Sequence, residues 1–155
     1  MIGFQPQPDG TVVGGFTESE GDTLTSLALQ LGELLKLRPD DDPALLRLLP
    51  DAYDDAEASR EFRGLTETTL AEGKVRGTER IVSDLAVDAW PHSVVLDSDG
   101  AMTWMKALND LRLVIASRLG IDEDLEAVDD ADVAWRGLYD WLGFVQETLV
   151  QAVDR

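Results

Sequence analysis

Hydrophobic positions along the chain change period several times, and each change marks a candidate element. Ile2 to Pro6 and Thr11 to Val13 are two short β-prone runs around Pro8-Asp9-Gly10, which predicts a hairpin closed by a proline–glycine turn. At Thr17 the spacing becomes helical. Leu24, Leu27, Ala28, Leu31, Leu34 and Leu35 recur every three or four residues until Pro39 stops the run, and Thr17 with Glu20 spells a capping box. Asp40 to Asp42 then offer an N-cap ahead of Pro43, so Ala44 to Leu49 should form a short helix ending before Pro50. Its Leu45, Leu46, Leu48 and Leu49 match an L-x-x-L-L pattern by letter, which core packing explains.

A longer helical segment runs from about Asp55 to Ala86, with Phe62, Leu65, Thr69, Leu70, Gly73, Gly77, Ile81 and Leu85 near one face. Gly64, Gly73 and Gly77 each weaken it by about 1 kcal/mol relative to Ala if exposed. Either the helix breaks there or another backbone packs close. Beyond Pro91, Ser93 to Leu96 reads as a short extended piece, and Asp97 or Ser98 caps a further helix ending at Gly120. Seven acids and no base fall between Asp122 and Asp132, a solvated loop whose charge complements the start of the next helix. Ala134, Leu138, Trp141, Leu142, Val145 and Leu149 stand at core spacing on that final helix. The predicted fold is mainly α, a single domain over residues 1–155: a bundle of four to five helices with a small N-terminal β-hairpin.

Composition narrows the function. A chain of 155 residues, 44% hydrophobic and 28% charged, can bury a continuous core without disulfides or a structural metal. No apolar run approaches the roughly 20 residues that span a bilayer, and no basic-then-apolar leader opens the chain, so a cytoplasmic protein without membrane contact is expected. The absence of cysteine excludes thiolate nucleophiles and sulfur-ligated metal sites. A net charge of −18, from 31 acids and 13 bases, repels phosphate backbones and argues against direct nucleic-acid binding.

No motif for chemistry survives inspection. In an EF-hand reading, Asp97-Ser98-Asp99-Gly100 puts its glycine at the fourth position instead of the sixth, and the Asp122 segment has Ala127 at the sixth and Val133 at the twelfth. His92 is the single histidine, which rules out a histidine metal cluster, and neither a phosphate-binding loop nor a dinucleotide fingerprint is present. Carboxylate pairs carry no specificity among so many acids. No catalytic residue, cofactor or metal is therefore expected. The most pointed feature is Arg112, which lies between Leu108 and Ile115 on an apolar stripe. Its guanidinium needs a partner, for which Glu61, Glu67 or Glu72 of the long helix could serve, as an inter-helix clamp or as a contact for a ligand anion or partner protein.

The strings DPALLRLLPDAYDD (Asp42 to Asp55), EFRGLTE (Glu61 to Glu67) and ALNDLRLVIASRLG (Ala107 to Gly120) resemble, in this order, an actinobacterial family once of unknown function and now named AosR-like after an oxidative-stress regulator. The composition, with ten arginines against three lysines, fits a GC-rich genome of that kind. The resemblance implies a helical protein with a small β element, no enzymatic activity and a role in transcriptional regulation. It singles out Glu61, Phe62, Arg63, Glu67, Asn109, Asp110 and Arg112 as a structural or partner-binding motif. Redox sensing through a cysteine pair cannot be carried over to a chain without cysteine. The leading expectation is a non-catalytic regulator that binds another protein, part of the transcription machinery. The alternatives are a direct DNA-binding factor, for which Arg76 and Arg80 are the one close pair of bases on a candidate helix, and an enzyme using carboxylates alone. A homodimer remains open.

Overall fold

The computed structural model describes residues 1–39, 42–49, 60–119 and 130–154, with the side chains of 60–63 and 130–132 excepted. Three strands and five helices lie among them: β1 (Ile2–Pro6), β2 (Val12–Phe16), α1 (Glu18–Leu37), α2 (Pro43–Leu48), α3 (Arg60–Asp84), β3 (His92–Leu96), α4 (Ser98–Leu119) and α5 (Asp130–Val153). The mainly helical architecture is the one the periodicity predicts. The hairpin is extended by β3, which runs antiparallel to β2 from Val12 opposite Leu96 to Phe16 opposite His92 and gives the order β1-β2-β3.

Local signals account for the element ends. The Thr17 hydroxyl accepts from the Glu20 N–H at 3.2 Å while the Glu20 carboxylate accepts from the Thr17 N–H at 2.9 Å, so two orphan donors at the start of α1 are satisfied. Asp42 accepts from the Ala44 N–H at 2.9 Å, ahead of Pro43 at the first position of α2. Asp97, rather than Ser98, caps α4 by accepting from the Gly100 N–H at 2.7 Å.

The sheet's inner face carries Phe4, Val12, Phe16, Val94 and Leu96, all buried. Phe4 and Phe16 meet the fully buried Trp104 of α4 with ring centroids 5.9 and 6.0 Å away, so one aromatic cluster joins sheet to bundle. Gly14 makes this possible, because a Cβ there would come within 2.8 Å of the Phe4 ring. Helix α4 is central and packs on α2, α3 and α5, while α1 packs along α3 and α5 covers β1. Gly77 sits against Ala107, where α3 and α4 approach closely. Gly77 thus marks a close approach, whereas Gly64 and Gly73 are exposed, and the helix breaks at none of the three.

Several expected core positions are corrected. Leu65, Thr69 and Gly73 of α3 are exposed, as is Leu46 of α2; Ile81 of the expected face is buried, and Ala71 and Thr78 join it. That face turns toward α1 and α4 together, and a stripe drawn for one neighbour misses part of it. Ala134 is exposed, because the core contacts of α5 are concentrated from Leu142 to Ala152. The segment from Asp55 to Ser59, the cap at Gly120 and the acidic run up to Asp129 lie outside the described residues. No described helix is long and apolar enough to cross a membrane.

Candidate docking groove between α3 and α4

Where α3 and α4 diverge, they leave a groove of about 900 Å³. Its α3 wall carries Lys74, Arg76 and Arg80, its α4 wall Lys106, and Met102 and Met105 supply apolar surface. Four of thirteen cations thus converge on one cleft of a chain whose net charge is −18. Two are already engaged. Lys74 Nζ donates to Asp110 Oδ1 at 2.8 Å, and Arg80 Nε donates to Asp84 Oδ2 at 2.8 Å. Arg76 and Lys106 are exposed and, among the described residues, form no hydrogen bond or ion pair. Arg76 also borders an adjoining cavity of about 380 Å³, lined by Lys36 and Arg38 with Glu72. The positive strip therefore continues toward the end of α1.

The groove is braced from beneath. Asp110 is only 4% exposed, so burial pushes its carboxyl above the usual carboxylate range while the Lys74 ammonium pulls the other way. Asp84 holds the other end: the same Oδ2 that meets Arg80 accepts from the Trp104 indole N–H at 2.7 Å, and the Asp84 carbonyl lies 3.1 Å from His92 Nε2. The single histidine is thus a structural partner of the α3 terminus, packed edge-on against Trp90.

The sequence motif is divided by this geometry. Asp110 lies in the groove and Asn109 at its exposed mouth. Glu67 reaches across to α1, its Oε1 lying 3.7 Å from Arg38 Nε. Glu61, Phe62 and Arg63 belong to the first turn of α3, and their side chains lie outside the described residues. Arg112 is half-buried, as expected, but the expected carboxylate from α3 is not its partner. It faces α5, donating from Nη1 to Gln146 Oε1 at 2.9 Å and lying 4.4 Å above the centroid of Tyr139, while Nε is buried with no partner among the described residues. Helical geometry gives the reason: two residues turn about 200° around the axis, so Arg112 must face away from the α3 side that Asp110 meets. Gly143 leaves the room, since a Cβ there would stand 3.2 Å from Arg112 Nη2.

Two features escaped the sequence reading. Lys106 joins the α3 cations only through tertiary packing, and no local pattern announces it. Arg118 of α4 grips Asp42 with both nitrogens, each pair at 2.8 Å, across a separation of 76 residues.

Comparison with known proteins places the chain in a family of uncharted activity. The DUF2017 family, described as a domain of unknown function, matches residues 1–153, and the chain belongs to it. It is also similar to a Mycobacterium leprae protein named "Putative oxidative stress regulator AosR", with 32% identity over 132 residues covering 75% of this chain and 60% of the relative. The AosR-like resemblance carried by Asp42 to Asp55, Glu61 to Glu67 and Ala107 to Gly120 therefore holds at the level of the family. This chain spans about three fifths of that relative's length. No solved structure matches the chain.

Proposed function

We propose that this chain is a non-catalytic regulatory protein of the oxidative-stress response that acts by binding another protein, a component of the transcription machinery. The stress context rests on the name of the M. leprae relative. The mode of action rests on one observation: a braced groove with exposed apolar surface and two cations that have no partner among the described residues, on a chain otherwise dominated by carboxylates. Such a surface suits a protein partner better than a reaction. The absence of any recognised catalytic motif agrees, and the single histidine sits against a backbone carbonyl.

The same cations favour direct DNA binding as the second reading. Lys74 and Arg80 are neutralised by Asp110 and Asp84, which leaves about two phosphate contacts and a salt slope near −2, far short of what tight binding at physiological salt requires. A titration of labelled promoter DNA with the protein alone, repeated with a candidate partner, separates the two. Binding only in the partner's presence is expected. Tight, competitor-resistant binding by the protein alone would replace the adaptor reading with the DNA-binding one.

A further inference from the structure

Taking a protein partner as given, we propose that the α3–α4 groove is its docking site and that it receives an acidic amphipathic segment, carboxylates toward Arg76 and Lys106 and an apolar side chain against Met102. Three observations choose this occupant.

The first is charge. The chain as a whole repels acidic partners, so an acidic segment can settle only where cations gather, and the groove gathers four from two helices. Two of them, Arg76 and Lys106, stand on opposite walls and have no partner among the described residues. A segment lying between them can offer a carboxylate to each side. The second is apolar surface. Met102 is 48% exposed at the groove, and its flexible thioether offers an incoming side chain an adaptable apolar surface. Phosphate backbone has no use for that surface, and a protein segment does. The third is room for a backbone. Gly73 is exposed on the α3 wall, where even an added Cβ would meet only Arg76 Nη2, at 3.6 Å. The wall from Thr69 to Arg80 spans about 17 Å at 1.5 Å per residue, the length of three helical turns.

Lys74 and Arg80 act here as fixed parts of the walls. Their carboxylates, Asp110 and Asp84, keep them from collapsing over the opening, and their charge adds to the field that attracts the segment.

The test uses the whole chain and a fluorescent 15-residue peptide of alternating Glu and Leu positions at helical spacing, read by anisotropy. A Lys-for-Glu counterpart and a labelled DNA duplex serve as the other probes. The acidic peptide should bind, more weakly as salt rises, and the Lys counterpart should not. Arg76→Glu with Lys106→Glu should weaken binding at least tenfold, and Met102→Asp should weaken it too. Arg136→Glu on α5, which changes net charge as much as Arg76→Glu alone, should leave it within twofold. Helical circular dichroism and melting temperature are recorded for each variant, and all three replaced side chains of the groove are exposed. Equal binding by wild type and the double variant overturns the groove assignment. A duplex that binds wild type and is lost on the double variant overturns both the acidic segment and the protein-partner reading. Affinity capture from the source cells then distinguishes the two levels. A partner held by wild type and lost by the double variant supports the groove, whereas one held equally by both overturns the groove and leaves the protein-partner reading standing.

Discussion

At Asp110 two effects of opposite sign meet on one side chain. Burial disfavours its charge, the Lys74 ammonium 2.8 Å away favours it, and burial prevails, so the folded carboxyl sits above its ordinary value. Lys74→Met should then leave a buried carboxylate with no cation and cost about 2 kcal/mol at neutral pH, below the roughly 3 to 5 kcal/mol of a fully buried pair because Lys74 is itself 27% exposed. The sign of the pH dependence follows. A carboxyl with a raised folded value binds its proton more tightly in the native state, so its contribution is most favourable below the unfolded value and declines as pH rises through the folded one. Removing the ammonium raises the folded value further. The deficit of Lys74→Met, read from urea midpoints, should accordingly shrink as pH falls from about 7 toward about 4. A deficit that stays constant over this range would mean Asp110 is not the group left stranded. A second residue prediction concerns Gly21, where an added Cβ would run into the six-membered ring of the Trp90 indole. Gly21→Ala has to displace that ring and should cost about 1 to 3 kcal/mol despite the helical propensity gained. An unchanged melting temperature would show that Trp90 moves freely. The need for glycine was not legible in the sequence, where Gly21 stood merely inside a strong helix. The motif residues were legible one by one, yet their facing was not: Arg112 was matched to α3 although its two-residue offset from Asp110 already sends it toward the opposite side.

At the scale of elements, capping and stop signals carried most of the fold. Thr17, Glu20, Asp42, Pro43 and Asp97 each do in space what their order along the chain suggests. Pairing between elements was less visible. The third strand had been expected only as an extended piece, since nothing local tells Ser93 to Leu96 that Val12 to Gly15 will lie beside it. Helix α2 shows the consequence of such hidden pairing. At six residues it is far too short to persist alone, and it is held by Leu45, Leu48 and Leu49 in the core and by the two-point grip of Arg118 on Asp42. That grip is the main cause holding the Asp42 carboxyl below the usual range, with burial opposing and the Ala44 N–H assisting. A depressed folded value means that the stabilisation is complete above the unfolded value and is lost as pH falls through the folded one. Arg118→Ala should therefore speed amide exchange across residues 44–49 while changing global stability by less than about 1 kcal/mol, as expected for a pair whose arginine is 40% exposed. Acid should produce the same local loosening in wild type. Exchange in α2 that ignores both the substitution and the pH would show that the leucines suffice.

At the scale of the whole molecule, composition gave the sign of the charge but not its arrangement. Thirteen bases against 31 acids predict repulsion of anything anionic, and yet the fold sets Lys106 of α4 opposite three cations of α3. The sequence shows Arg76 and Arg80 one turn apart; it cannot show that Lys106, 26 residues beyond Arg80, faces them. The oxidative-stress role proposed above would meet the same groove. A chain without cysteine can form no disulfide, so its reversible sulfur oxidation is confined to methionine sulfoxide at Met1, Met102 and Met105. Met102 is 48% exposed in the groove, whereas Met105 is partly buried against the core. Hydrogen peroxide should therefore add oxygen at Met102 before Met105, without any crosslinked species on a non-reducing gel, and peptide mapping over time would reveal the order. The sulfoxide is polar where the thioether was apolar, so the treated protein should bind the acidic amphipathic peptide more weakly. Met102→Leu should bind the peptide and keep binding it after peroxide. If Met105 oxidises first, or if the leucine variant loses binding on treatment as wild type does, then the groove is not where oxidation reaches this protein.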